Sequence, residues 1–123
     1  MTGLPKMTLS IASEFSRFPI GRYVSDGEFN ATRFREEFLI PSLDRAIKSN
    51  SILEVELDGV AAYSSSFLEE SFGGLVRSDR IDPHQIPEHL KIVASSRVYE
   101  PARLDAESYM RDAFRARGVT VQN

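Results

Sequence analysis

The sequence has no cysteine. That absence removes a disulfide framework, a thiolate nucleophile and every Cys-based zinc or iron–sulfur site. An excess of positive charge is missing as well: 15 Lys and Arg stand against 18 Asp and Glu, for a net charge of −3. Such a chain has no global field to hold polyanions, so nucleic acid is not an expected partner. No apolar run approaches the roughly 20 residues of a membrane-spanning helix. Met1–Ser10 carries a single Lys and no long apolar stretch, which argues against a signal peptide. The expectation is a soluble, cytoplasmic protein with no membrane partner. Also missing are a P-loop, the glycine triplet of dinucleotide-binding turns and the Gly-x-Ser-x-Gly of a nucleophile elbow. The one adjacent glycine pair, Gly73-Gly74, falls toward the end of a predicted helix, where packing or termination accounts for it. Histidine is scarce. His84 and His89 lie five residues apart in a Pro-rich loop, a spacing that does not bring both rings to one helix face, and two ligands do not make a metal site. No cofactor is expected.

What is present suffices for a core. With 123 residues, 41% hydrophobic and 27% charged, the chain reads as one globular domain over 1–123, its core within 6–118 between a loose start (Met1–Lys6) and a tail (Val119–Asn123). Met7, Leu9 and Ile11 alternate with polar or small residues, so Met7–Ser13 reads as a half-buried strand. Ser16–Glu28 is punctuated by Pro19, Gly21 and Gly27; Ser25-Asp26-Gly27 is turn chemistry, and Arg22–Val24 is a possible second strand. Asn30 offers an N-cap to a helix carrying Phe34, Phe38, Leu39, Leu43 and Ile47, with a kink or break expected at Pro41. Ser51–Asp58 is the clearest strand and the expected centre of the sheet. A helix follows from near Ser66 to about Arg77, then a short strand at Leu90–Ser95, then a last helix that opens at Pro101 and stops near Gly118. Strands alternating with helices imply a largely parallel α/β sheet.

The chemistry-bearing residues are few. Glu69 and Glu70 are consecutive, about 100° apart around a helix axis, and do not face each other as an acid/base pair. Glu69, three residues after Ser66, fits a capping box, which leaves Glu70 to solvent. Arg97, Arg103, Arg111, Arg115 and Arg117 are interleaved with acids and read as a solvated, salt-laced face. Ser64-Ser65-Ser66 stands out because it sits where a strand feeds a helix. Loops at the carboxyl ends of strands meet ligands and partners, and a helix N-terminus favours an added anion. A phosphoryl group there would add close to two negative charges. The plainer role for Ser66 is to cap its helix.

The run from Val55 to Val76, with Ser-Phe-Leu-Glu-Glu-Ser-Phe-Gly at its centre, resembles the signature of the STAS-like domain family of unknown function DUF4325. So do Gly21-Arg22, Asp26-Gly27, Phe34-Arg35 and Leu39-Ile40-Pro41 upstream. The resemblance implies a STAS-like fold, a small mixed and largely parallel sheet with helices mainly on one face, as in bacterial anti-sigma factor antagonists. It also implies a partner: a histidine-kinase-like ATPase, or anti-sigma-type kinase, that phosphorylates a serine at the start of the helix after a central strand and so breaks the complex. Aligned on the antagonists' Asp-Ser-Ser/Thr-Gly-Leu, the phosphoacceptor falls on Ser66. Ser64 replaces the acid and Phe67 replaces the glycine.

Three expectations follow. The first is a non-enzymatic signalling and regulatory module that docks a protein partner through Ser64, Ser65, Ser66, Phe67, Glu69 and Glu70, with phosphorylation at Ser66 or Ser65 as control and Arg22 and Arg35 as further contacts. The second is a small-molecule or nucleotide sensor with an anion pocket at the same junction, where Arg22 and Arg35 would bind phosphate or carboxylate. The third, ranked last, is an enzyme with Ser66 as nucleophile and Glu69 or His84 as base; no residue is assigned a catalytic role.

Overall fold

A computed structural model of the chain describes residues 3–121. Met1 and Thr2 of the expected loose start, and Gln122 and Asn123 of the expected tail, lie outside the described residues. Three parallel strands form one sheet in the order β1 (Lys6–Ser10), β2 (Ile52–Glu56), β3 (Leu90–Val93). β2 is central, as its alternating Val and Leu content indicates. The register aligns Met7 with Leu53 and Leu90, and Leu9 with Val55 and Ile92, on one face. Thr8, Glu54 and Lys91 form a row on the other face. Leu9, Leu53, Val55 and Ile92 are buried, whereas Thr8 and Lys91 are exposed. The helices therefore cover one face and leave the other polar.

Strand order explains that asymmetry. Right-handed crossovers that advance steadily across a sheet place successive helices on the same side. Order 1-2-3 also contains no reversal, so the sheet has no topological switch point of the kind that opens a ligand crevice.

β1 stops at Ser10, short of the expected Ser13. The Ser10 hydroxyl accepts from Ser13 N–H and starts a wide helical turn, Ile11–Phe15, that swings Phe15 into the core. There Phe15 packs on Phe29, Phe34 and Phe38 at centroid distances of 5.5, 5.3 and 5.2 Å. The possible strand at Arg22–Val24 is not a strand. Tyr23 and Val24 are exposed, and Asp26 Oδ2 accepts from the N–H groups of Arg22 and Tyr23, curling Val24–Asp26 into a tight helical turn.

α1 (31–48) begins where Asn30 Oδ1 caps Arg33 N–H and runs unbroken through Pro41. The expected kink is replaced by a widened turn at Arg35–Leu39, in which Ile40 N–H reaches Arg35 C=O five residues back. The ladder is already displaced where the proline ring would clash, so the helix continues. α2 (65–77) contains a second widened turn, Glu69–Gly73. It lies between α1 and the C-terminal helix, and Ser71–Val76 are all buried. One helical turn, α3 (Ile86–His89), leads into β3, and His89 Nδ1 donates to Ser51 C=O at 2.7 Å, fixing the start of β2. α4 (Glu100–Ala116) has Pro101 in its first turn and buries Ala106, Met110, Ala113 and Phe114.

Candidate functional site

The carboxyl ends of the strands are knitted into a firm rim. Asp58, just past β2, accepts from Ser95 N–H and Ser96 N–H at 2.8 and 2.9 Å. Tyr63 and Tyr99 donate their hydroxyls to Leu57 and Val60 carbonyls, and burial pushes the Tyr63 phenol well above its ordinary range. The three serines leave this rim. Ser64 is extended, and its Oγ accepts from Phe67 N–H at 3.1 Å, so Ser64 is the N-cap and α2 starts at Ser65. That corrects the expected cap at Ser66. Ser66 lies inside the first turn, half-buried, its Oγ 3.2 Å from Ser64 Oγ. Ser65 is exposed.

The expected capping box with Glu69 does not form: with the N-cap at Ser64 the third helical residue is Phe67, and the Glu69 carboxylate turns to arginines instead. Glu69 accepts from Arg22 at 2.7 Å and from Arg77 at 2.6 Å. The Arg77 and Arg22 hydrogen bonds hold its pKa below the usual carboxylate range against the opposing effect of burial. Glu70 is not solvated as expected. Its Oε2 meets Arg35 at 2.8 Å and its Oε1 meets Arg22 at 3.1 Å, with the Glu70 and Arg35 side chains only 13% and 12% exposed. Consecutive carboxylates converge here because the widened turn carries them and Arg22 lies against both. Arg35 also donates to Glu70 C=O and meets Glu36, which binds Arg80 in turn.

Gly73-Gly74 belongs to this network. A Cβ on Gly74 would stand 2.5 Å from Arg35 Nη1, and one on Gly73 would stand 2.6 Å from Glu69 Oε2. The pair thus serves close packing inside α2, not its termination.

Arg22 and Arg35 are therefore engaged by the chain's own carboxylates, and an external anion would have to displace Glu69 and Glu70 to reach them. Phe67 is fully buried, 5.8 Å from Phe34, which corrects its assignment as a partner contact: its side chain belongs to the core. Neither Glu69 nor His84 is a hydrogen-bond partner of Ser66; His84 pairs with Asp82 on the surface. Among the described residues no group of three or more His, Asp or Glu is placed to hold a metal, and no helix is long and apolar enough to cross a membrane.

Two contacts that periodicity does not reveal complete the site. Ala61 N–H donates to Arg17 C=O, and Arg17 Nε donates to Gly59 C=O. Segment 17–22 is thus pinned at one end to the loop before the serines and at the other, through Arg22, to the helical turn after them. Gly21 makes the path possible: φ is +71°, and a Cβ there would run into Asp26. Between the two pins stand Phe18 and Ile20, 68% and 55% exposed. Across the serines, Val98 is exposed at the lip of a shallow depression of about 230 Å³ that includes Ala61, Ser65 and Tyr99. Phe18 and Ile20 sit among Pro19 and Gly21 without helical or strand period; their only signal in the sequence is being apolar inside turn residues.

A family model described as a STAS-like domain of unknown function (DUF4325) matches residues 30–99. The chain belongs to this family. The match takes in α1, β2, the serine junction, α2 and β3 of this STAS-like domain. No curated protein and no solved structure matches it.

Proposed function

We propose that this STAS-like domain is a non-enzymatic docking module in signalling, whose partner-facing surface is the rim formed by Phe18 and Ile20 beside Ser64–Ser66. The observation that carries the reading is the pinned segment 17–22. Two large apolar side chains are held out in solvent by Arg17 and Arg22 instead of folding into the core, and rigid apolar side chains ringed by polar groups suit a protein interface. Phosphorylation of Ser66, or of Ser65, by an ATPase-type kinase partner is the proposed control. The γ-phosphoryl of ATP passes to the serine Oγ, ADP leaves and the hydroxyl proton goes to solvent. A phosphate on Ser66 would stand one helical turn before Glu69 and Glu70 and compete with them for Arg22, which anchors the docking segment.

The test is a pull-down from source-cell lysate with ATP, comparing wild type with Phe18→Ser, Ser66→Asp and Ser65→Asp, read by mass spectrometry for bound protein and for phosphate on the three serines. A protein held by wild type and lost with Phe18→Ser and with an aspartate variant supports docking and control together. Retention by Phe18→Ser removes the docking surface. Loss with Phe18→Ser alone, with no phosphate found, leaves a docking platform without a switch.

A further inference from the structure

Across the serines from Phe18 and Ile20, the shallow depression lies between the loop at 61–65 and the start of α4. At about 230 Å³ it falls short of the roughly 300 Å³ at which small-molecule sites begin. The room suits one long side chain. Its lining is mostly apolar: Ala61, Ala62, Leu68 and Ala102 contribute alkyl groups. Tyr63 and Tyr99 spend their hydroxyls on the Leu57 and Val60 carbonyls, which leaves their rings to the hollow. Among the ten lining residues Asp105 alone carries a charge. Glu100, Glu107 and Asp112 on the same helix each meet an arginine; Asp105 is exposed and has no ion pair or hydrogen bond to its side chain among the described residues. Helical partners stand three and four residues away, and for Asp105 those are Pro101, Ala102, Ser108 and Tyr109, none of them a cation. Arg103 is taken by Glu100 and Glu107. On the adjoining loops, Arg17 Nε is held by Gly59 C=O and Arg97 is exposed, and neither lies within ion-pair distance of Asp105.

We infer that this hollow receives a basic side chain, Lys or Arg, of the docking partner, with its alkyl stem on the alanines and tyrosine rings and its charged head at Asp105. The inference rests on the docking reading above and extends that surface to a second anchor beyond the serines. Basic side chains bury their stems while keeping the charge at the wet end, and a cation is drawn to an aromatic face. A purely apolar side chain is the poorer occupant, because it would take water from the Asp105 carboxylate and pair nothing with it. An acidic one is repelled. Ser65 also lines the hollow. With a basic occupant, negative charge added there would strengthen docking, so release by phosphate falls to Ser66.

The probes are the N-acetyl methylamides of lysine, arginine, norleucine and glutamate, titrated singly into the 15N-labelled full chain. The lysine or the arginine probe is expected to shift the Ala61, Ser65, Ala102 and Asp105 amides with a dissociation constant on the order of 1 mM, while norleucine and glutamate leave them in place. Asp105→Asn removes the charge and Ala102→Leu fills the hollow. Each should weaken the basic probe about fivefold or more. Norleucine binding as well as lysine, shifts confined to other amides, no shift at about 10 mM of either basic probe, or an affinity that either variant leaves unchanged would each overturn the inference. The titration uses neither the partner nor a Phe18 variant. Its failure therefore leaves the Phe18 and Ile20 surface to the pull-down, and failure of the pull-down does not alter what the titration reads.

Discussion

Two arginines in this molecule each hold a pair of carboxylates. Arg22 binds Glu69 and Glu70, 47 and 48 residues away; Arg103 binds Glu100 and Glu107, three and four residues away on α4. The chemistry is the same and the consequence differs. The Arg103 set supports a helix that its own periodicity already specifies, at a few tenths of a kcal/mol per pair. The Arg22 set joins an aperiodic segment to the middle of another helix and extends through Glu70 to the half-buried Arg35. Charges close in sequence reinforce local structure, and charges distant in sequence decide which segments meet.

Glu70→Ala should break that contrast most visibly. It takes a carboxylate from Arg35, 12% exposed, which keeps Glu36 and the carbonyl of residue 70, and removes one of two partners from Arg22. Losing charge-assisted hydrogen bonds at a site this shielded costs more than losing an exposed pair, and a loss of about 2 kcal/mol is expected in urea unfolding. Glu107→Ala on α4 should lose about 0.5 kcal/mol or less. Equal losses would mean that burial does not distinguish the two sets.

Acid should separate them next. The folded-state pKa of Glu69 lies below the unfolded value because Arg77 and Arg22 hydrogen-bond its ionised form. A depressed carboxylate contributes stability that is fully present above the unfolded Glu pKa, about 4.3, and is lost as pH falls through the folded value. Protection from amide exchange across segment 17–22, taken relative to the intrinsic rate at each pH, should therefore fall below about pH 4, where carboxylates begin to protonate, while the Arg17 anchor, which involves no carboxylate, loosens later. Glu69→Gln should speed exchange at neutral pH and flatten its acid dependence. A segment whose protection stays constant through this pH range in the wild-type chain would show that Arg22 does not latch it.

The serines sharpen the picture at smaller scale. Ser64→Ala removes the N-cap of α2 and should cost ~1 kcal/mol; Ser66→Ala, which leaves that cap in place, should cost a few tenths. The reverse ranking, measured by thermal unfolding at matched pH, would return the cap to Ser66.

Much of the fold was legible because it is periodic. β2 announced itself by alternation, α4 by its stripe of Ala106, Met110, Ala113 and Phe114, and α1 by Asn30 ahead of Phe34 and Leu43. Pro41 misled because a rule about regular helices was applied to a helix that widens at Arg35–Leu39, and nothing local in those residues marks a displaced ladder. Arg22–Val24 misled because β-branched and aromatic residues favour strands only where a neighbour pairs with them, and this segment has none. At the site, the serine junction was visible from the strand-to-helix change. The partners of Glu69 and Glu70 were not: a capping box is a local pattern, whereas the competing arginine arrives from 47 residues away, a distance that single-sequence pattern reading does not cross.

The smallest expected effect tests the other side of the comparison. Arg115 and Asp112 on α4 form an ion pair at 3.2 Å with side chains 77% and 66% exposed. In water that exposed, Coulomb attraction is weak, and holding two long side chains together costs rotamer entropy of similar size. Arg115→Ala should therefore move stability by no more than about 0.5 kcal/mol, and by less in high salt, because the Debye length shrinks below the separation of exposed charges. A double-mutant cycle with Asp112→Ala should return a coupling close to zero, whereas the same cycle on Arg22 and Glu69 should return a clearly favourable one that survives added salt. If the α4 pair coupled as strongly as the junction pair, arginine–carboxylate geometry alone would set the coupling, with no part for burial or sequence distance, and the latch assigned to Arg22 would lose its physical basis.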